Sequence, residues 1–78
     1  MFSKIILQDG PVKEHGVNGD QIDDIIEWCR DALVGFNQQP YTNGHNTLAI
    51  QRLDEALEEL HLRTVSREAR GVEGTSQP

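Results

Sequence analysis

Covalent staples are nearly absent from this chain: its one cysteine, Cys29, excludes an intrachain disulfide, and His15, His45 and His61 are too widely spaced for a zinc site. Long apolar runs are missing too, so no membrane span or signal peptide is expected, and a reducing cytoplasm is the default setting. Positive charge is scarce, with seven Lys and Arg against thirteen Asp and Glu for a net charge of −6. That balance argues against a nucleic acid polymer as partner, because a basic surface supplies most of such affinity. Catalytic equipment is lacking as well. Gly16 and Gly19 have neither the lysine nor the setting of a phosphate loop, and Asp23-Asp24 and Glu58-Glu59 are neighbours on solvated helix faces. Neither an enzyme nor a metal or cofactor is expected. The 78 residues allow one domain, small enough that a lone copy is marginal and self-association is the expected remedy.

What is present reads as a mainly α fold: an antiparallel two-helix hairpin (residues 18–70) behind a short extended N-terminal arm (residues 1–17) and ahead of a flexible tail (residues 71–78). The arm opens on Ile5-Ile6-Leu7, which suit one short strand, then meets turn chemistry at Asp9-Gly10-Pro11 and Gly16. Asn18 is placed to cap the first helix, with Gln21 three residues on and Val17 and Ile22 as a hydrophobic staple. Ile22, Ile25, Ile26, Cys29, Leu33 and Phe36 then recur at helical spacing, with Trp28 at the edge of their stripe. Gly35 and Pro40 end that helix, and Thr42, Asn43 or Asn46 can cap the next. Ala49, Ile50, Leu53, Ala56, Leu57, Leu60 and Thr64 form the second stripe, while Leu48 and Leu62 project to the opposite side as an apolar strip for association. Gly71 is the natural stop.

Basic residues gather at one end. Arg63, Arg67 and Arg70 stand at i, i+4 and i+7, within a sector of about 60° on one helix edge. Together they can grip an anion, since a guanidinium fork binds phosphate through paired hydrogen bonds and stacks on a base; they can equally complement the helix dipole and pair with Glu59, Glu68 or Glu73. Phe36 and Tyr41 offer stacking faces or plain packing, and Asn46 offers an amide for a base edge or a helix cap.

Asn46-Thr-Leu-Ala-Ile-Gln-Arg-Leu-Asp-Glu-Ala-Leu57, followed by the Arg-Thr-x-x-Arg-Glu-Ala-Arg-Gly-Val-Glu-Gly-Thr signature over residues 63–75, resembles the phage hairpin family of anti-CBASS and anti-Thoeris sponge proteins. Gln8 to Lys13, Gly16 to Gly19 and Gln21 to Asp23 are similar to small phage members of that group. The resemblance implies a cytoplasmic protein of the infected host that captures cyclic nucleotide messengers of bacterial immunity without cleaving them. It further implies a homohexamer, a dimer of trimers with ligand pockets at subunit boundaries. By the same resemblance Phe36 stacks on a base, Asn46 hydrogen-bonds to the ligand, and Arg63 and Arg67 meet its phosphates, with Arg70 and Tyr41 as further candidates. Longer anti-Thoeris members carry more sheet structure before the hairpin. The rival expectation is a helical interaction module, an adaptor or inhibitor that docks Leu48 and Leu62 on a protein partner.

Overall fold

The computed structural model describes residues 4–78. It is mainly helical, with three helices: α1 (Val12–His15), α2 (Ile22–Phe36) and α3 (Gly44–Ala69). The arm differs from the extended segment expected of it, because Pro11 presets a helical turn at its start and residues 12–15 coil into α1. What remains extended forms one isolated parallel bridge, Leu7 to Asp20, with Gln8 N–H donating to Asp20 O at 2.9 Å. Gly19 permits it: a Cβ there would lie 2.6 Å from the carbonyl oxygens of Ile6 and Leu7.

The start of α2 corrects the sequence reading. Gln21, not Asn18, is the N-cap residue, and its side chain makes no capping bond. Asn18 is diverted to the arm: its Oδ1 accepts from Asp9 N at 2.8 Å and its Nδ2 donates to Asp9 O at 2.7 Å. Gln8 completes this lacing by accepting from Asn18 N and donating to Gly16 O. A short amide side chain serves such local backbone bonds as readily as it serves a helix end.

At α3 the choice among three caps falls to Asn43, whose side chain accepts from His45 N at 2.7 Å. Asn43→Ala is expected to cost about 1 kcal/mol, read as a lower midpoint in thermal unfolding with the helix otherwise intact. The far end closes as a Schellman motif. Val72 N–H donates to Arg67 O and Gly71 N–H to Glu68 O, both at 3.0 Å, with Gly71 at φ 72. That left-handed backbone is why the stop falls on glycine.

Helices α2 and α3 pack against each other. Asn37 Nδ2 donates to Thr47 Oγ1 at 3.0 Å across the loop of residues 37–43, and further along Arg30 Nε meets Asp54 Oδ1 at 2.8 Å. The hydrogen bond to Asp31 and then the charge of Asp54 hold the Arg30 pKa above its ordinary value, so the bridge persists at any physiological pH. The two stripes read from the sequence are covered in large part: Ile25, Ile26, Cys29 and Leu33 on α2 and all seven positions from Ala49 to Thr64 on α3 are half-buried, whereas Ile22 and Phe36 at the ends of the α2 stripe are exposed, as is Val17, so the expected staple of Val17 on Ile22 does not close.

None of them is fully buried. Among the described residues no apolar side chain is fully enclosed, and the Cα envelope measures 47 × 27 × 12 Å. Among the described residues α2 and α3 are the two helices that pack on each other, so the hairpin forms a single helical layer. Domains ordinarily close their core with a second layer. Among the described residues no helix is long and apolar enough to cross a membrane.

Candidate functional site

The six residues singled out from the sequence divide into two groups at opposite ends of α3. Phe36 at the end of α2 and Tyr41 in the following loop are 68% and 76% exposed, and Asn46 is half-buried in the first turn of α3. Arg63, Arg67 and Arg70 occupy the last two turns. With 1.5 Å of rise per residue, Asn46 and Arg63 are roughly 25 Å apart along the axis. One small ligand therefore cannot touch both groups on one chain.

The three arginines, adjacent on the helix, have distinct surroundings. Arg63 is exposed and makes no hydrogen bond or ion pair among the described residues. It lines an open cleft of about 270 Å³ with Gln21, Ile22, Asp23 and Asp24 at the start of α2, Leu60 and Thr64 on α3, and Glu73. The N-terminus of α2 lends partial positive charge there, whereas Asp23, Asp24 and Glu73 are acceptors that suit hydroxyl or amino donors. The cleft thus combines a grip for phosphate with partners for a sugar or base.

Arg67 is the most buried of the described residues, at 8% exposure. Its guanidinium sits inside a ring of main-chain oxygens from residues 71–78: Nη2 donates to Val72 O at 2.9 Å and Thr75 O at 3.1 Å, and Nη1 to Pro78 O at 3.1 Å. Nε faces the Glu73 carboxylate at 3.7 Å. Arg70 Nη1 reaches the same Pro78 oxygen at 2.9 Å. The segment read from the sequence as a flexible tail is therefore folded back in this structure, because a buried cation needs acceptors and the Schellman turn delivers the chain after Gly71 to it. The Gly71 and Gly74 spacing, both at positive φ, was the available sign of tight turning. Nothing in the residue pattern announced the second attachment, where Lys13 N–H donates to Gly74 O at 2.8 Å and Glu14 accepts from Ser76 N at 2.7 Å.

A second concavity lies along α2, lined by Trp28, Cys29, Asp31, Ala32, Leu33, Gly35 and Phe36 and mostly apolar. The exposed Phe36 thus borders an open hydrophobic groove of about 780 Å³. Leu48 and Leu62, each 51% exposed, stand clear of the contact with α2, as their spacing indicated.

No family model matches the chain. Over 76 residues, 97% of its length, it is 44% identical to Thoeris anti-defense 1 of Bacillus phage SBSphiJ7, and it spans about half, 54%, of that protein. This relationship supports the phage anti-Thoeris family that the signature over residues 63–75 resembles.

Proposed function

From its likeness to a phage protein named for Thoeris anti-defence, we propose that this chain serves phage anti-defence by sequestering cyclic nucleotide messengers, without cleaving them, in pockets completed between copies of itself. The observation that carries the reading is the division of candidate ligand residues between the two ends of α3. Phe36 and Asn46 lie about 25 Å from Arg63, and a neighbouring copy running the other way brings its loop end beside the arginine end of the first. A two-fold seam of that kind presents each group twice, which matches the paired phosphates and bases of a cyclic dinucleotide.

The exposed surface favours the same conclusion. The accessible area is 5923 Å², about 1,100 Å² more than expected of a compact monomer of this mass, and an ordinary interface covers about 800 Å² per partner. The α2 groove, Leu48 and Leu62 supply apolar surface for it. Association into a homohexamer, a dimer of trimers, accommodates both a two-fold and a three-fold seam. Sequestration needs roughly nanomolar affinity, about 12 kcal/mol, which one exposed arginine cannot supply and which two sets of stacking and charged contacts in a dry seam can. The protein on this reading is not an enzyme, acts in the cytoplasm of the infected bacterium, and needs no cofactor.

The test is capture and release. Cyclic di-AMP, cyclic tri-AMP and cyclic ADP-ribose are each incubated with the protein, unbound material is removed, and the protein is heat-denatured. Recovery of an intact probe supports sequestration; recovery of a linear product, or of nothing, defeats it. Arg63→Ala is expected to weaken retention about ten- to a hundredfold, the worth of one charged hydrogen-bonding group. Its circular dichroism should be unchanged, since Arg63 holds no described partner.

A further inference from the structure

We propose that residues 71–78 are a displaceable strap: their main-chain oxygens and an incoming phosphodiester compete for the guanidinium of Arg67, so that binding an anionic nucleotide there expels the strap. The inference rests on the sequestration reading above.

Three N–H groups of Arg67 are engaged by main-chain oxygens at 2.9 to 3.1 Å, and Nε faces the Glu73 carboxylate as an ion pair at 3.7 Å, beyond hydrogen-bond distance. A phosphate fork requires two parallel donors on one edge of the guanidinium. Both edges that include Nη2 or Nε are blocked while the strap is in place, and Arg70 is held to the same Pro78 oxygen. The exchange has a direction at Nη2, because a phosphate carries charge and accepts more strongly than the neutral carbonyls of Val72 and Thr75 that it would replace there.

Glu73 sharpens the competition. Its Oε2 is inaccessible and has no hydrogen-bond partner, its carboxylate faces Arg67, and the residue also lines the Arg63 cleft. A phosphate bound beside it would meet a like charge, so departure of the strap removes an acceptor and a repulsion together. Little else holds these residues down. None of residues 71–78 is fully buried, Val72 is their sole large apolar side chain, and the outer attachment to α1 consists of exposed bonds from Ser76 to Glu14 and one from Lys13.

Two measurements on the full chain test the strap, using the three probes named above. The amides of Gly74, Thr75, Ser76 and Gln77 all donate hydrogen bonds in the strapped state. Saturation of the wild type with a retained probe should accelerate their hydrogen exchange about tenfold or more, by the opening of a local unit; unchanged or slowed exchange overturns the proposal, slowing meaning that the segment closes over the ligand instead. Glu14→Ala, which touches no arginine, removes the acceptor for Ser76 and should tighten binding about three- to tenfold, the scale of the bonds lost from the competing state. Equal or weaker binding overturns the strap while leaving sequestration intact. If neither protein retains any probe, the sequestration reading and the strap fall together.

Discussion

Arg67→Ala should release residues 71–78 and abolish nucleotide retention in the same protein. The alanine leaves Val72 O, Thr75 O, Pro78 O and the Glu73 carboxylate without their cation. A hydrogen bond to a charged group contributes about 1.5 to 3 kcal/mol, so a loss of about 3 kcal/mol is expected for the ring as a whole once the freed oxygens are rehydrated. The structural effect reads out as rapid exchange of the Gly74 to Gln77 amides, with α3 still helical as far as the Schellman turn. The binding effect reads out as loss of heat-releasable nucleotide. Arg67→Lys discriminates further, because an ammonium is a compact charge that cannot serve three divergent carbonyls or fork onto phosphate. It should keep the charge and fail on both counts; a lysine variant that retains nucleotide at wild-type strength would show that position 67 contributes charge alone.

Leu62→Asp is expected to convert the assembly to monomers. Leu62 is 51% exposed on the side of α3 away from α2, and Leu48 is equally exposed. If this strip lies in a subunit seam, burying an unpaired carboxylate there costs several kcal/mol, enough to shift an association held by about 800 Å² per partner beyond micromolar concentrations. Sedimentation velocity reads the outcome, and under the proposal of pockets completed between copies nucleotide capture should vanish with the oligomer. Leu62→Ala, which removes area without adding charge, should give an intermediate, concentration-dependent species. An aspartate variant that sediments as the wild type does would remove this strip from the interface.

The helices were legible because their signal is periodic and local. Eleven of the thirteen stripe positions, four of six on α2 and all seven on α3, are half-buried, with Ile22 and Phe36 exposed at the ends of α2, and helical spacing of apolar residues marks such faces without further information. Helix ends were less secure. Asn43 was one of three candidates, while Asn18 was lost to the lacing of the arm with Gln8 and Asp9, a partnership set by backbone proximity across nine positions. The arginine end was visible as a cluster but not in its internal division. Spacing alone places Arg63, Arg67 and Arg70 on one edge; which of them faces a cleft and which is enclosed depends on the course of the chain after Gly71. Glu73 was one of three carboxylates offered as arginine partners and does face Arg67, whereas Ser76 and Glu14 carried no motif, since acceptors and donors that act through fold-back bonds leave no periodic trace. The separation of Asn46 from the arginines, in contrast, follows from residue numbers and helix rise alone.

A slab one helix deep has scarcely an interior to protect. Substitutions at exposed positions of α2 and α3, such as Val34, Leu48 and Leu62, therefore change what the protein presents to a neighbour more than whether it folds.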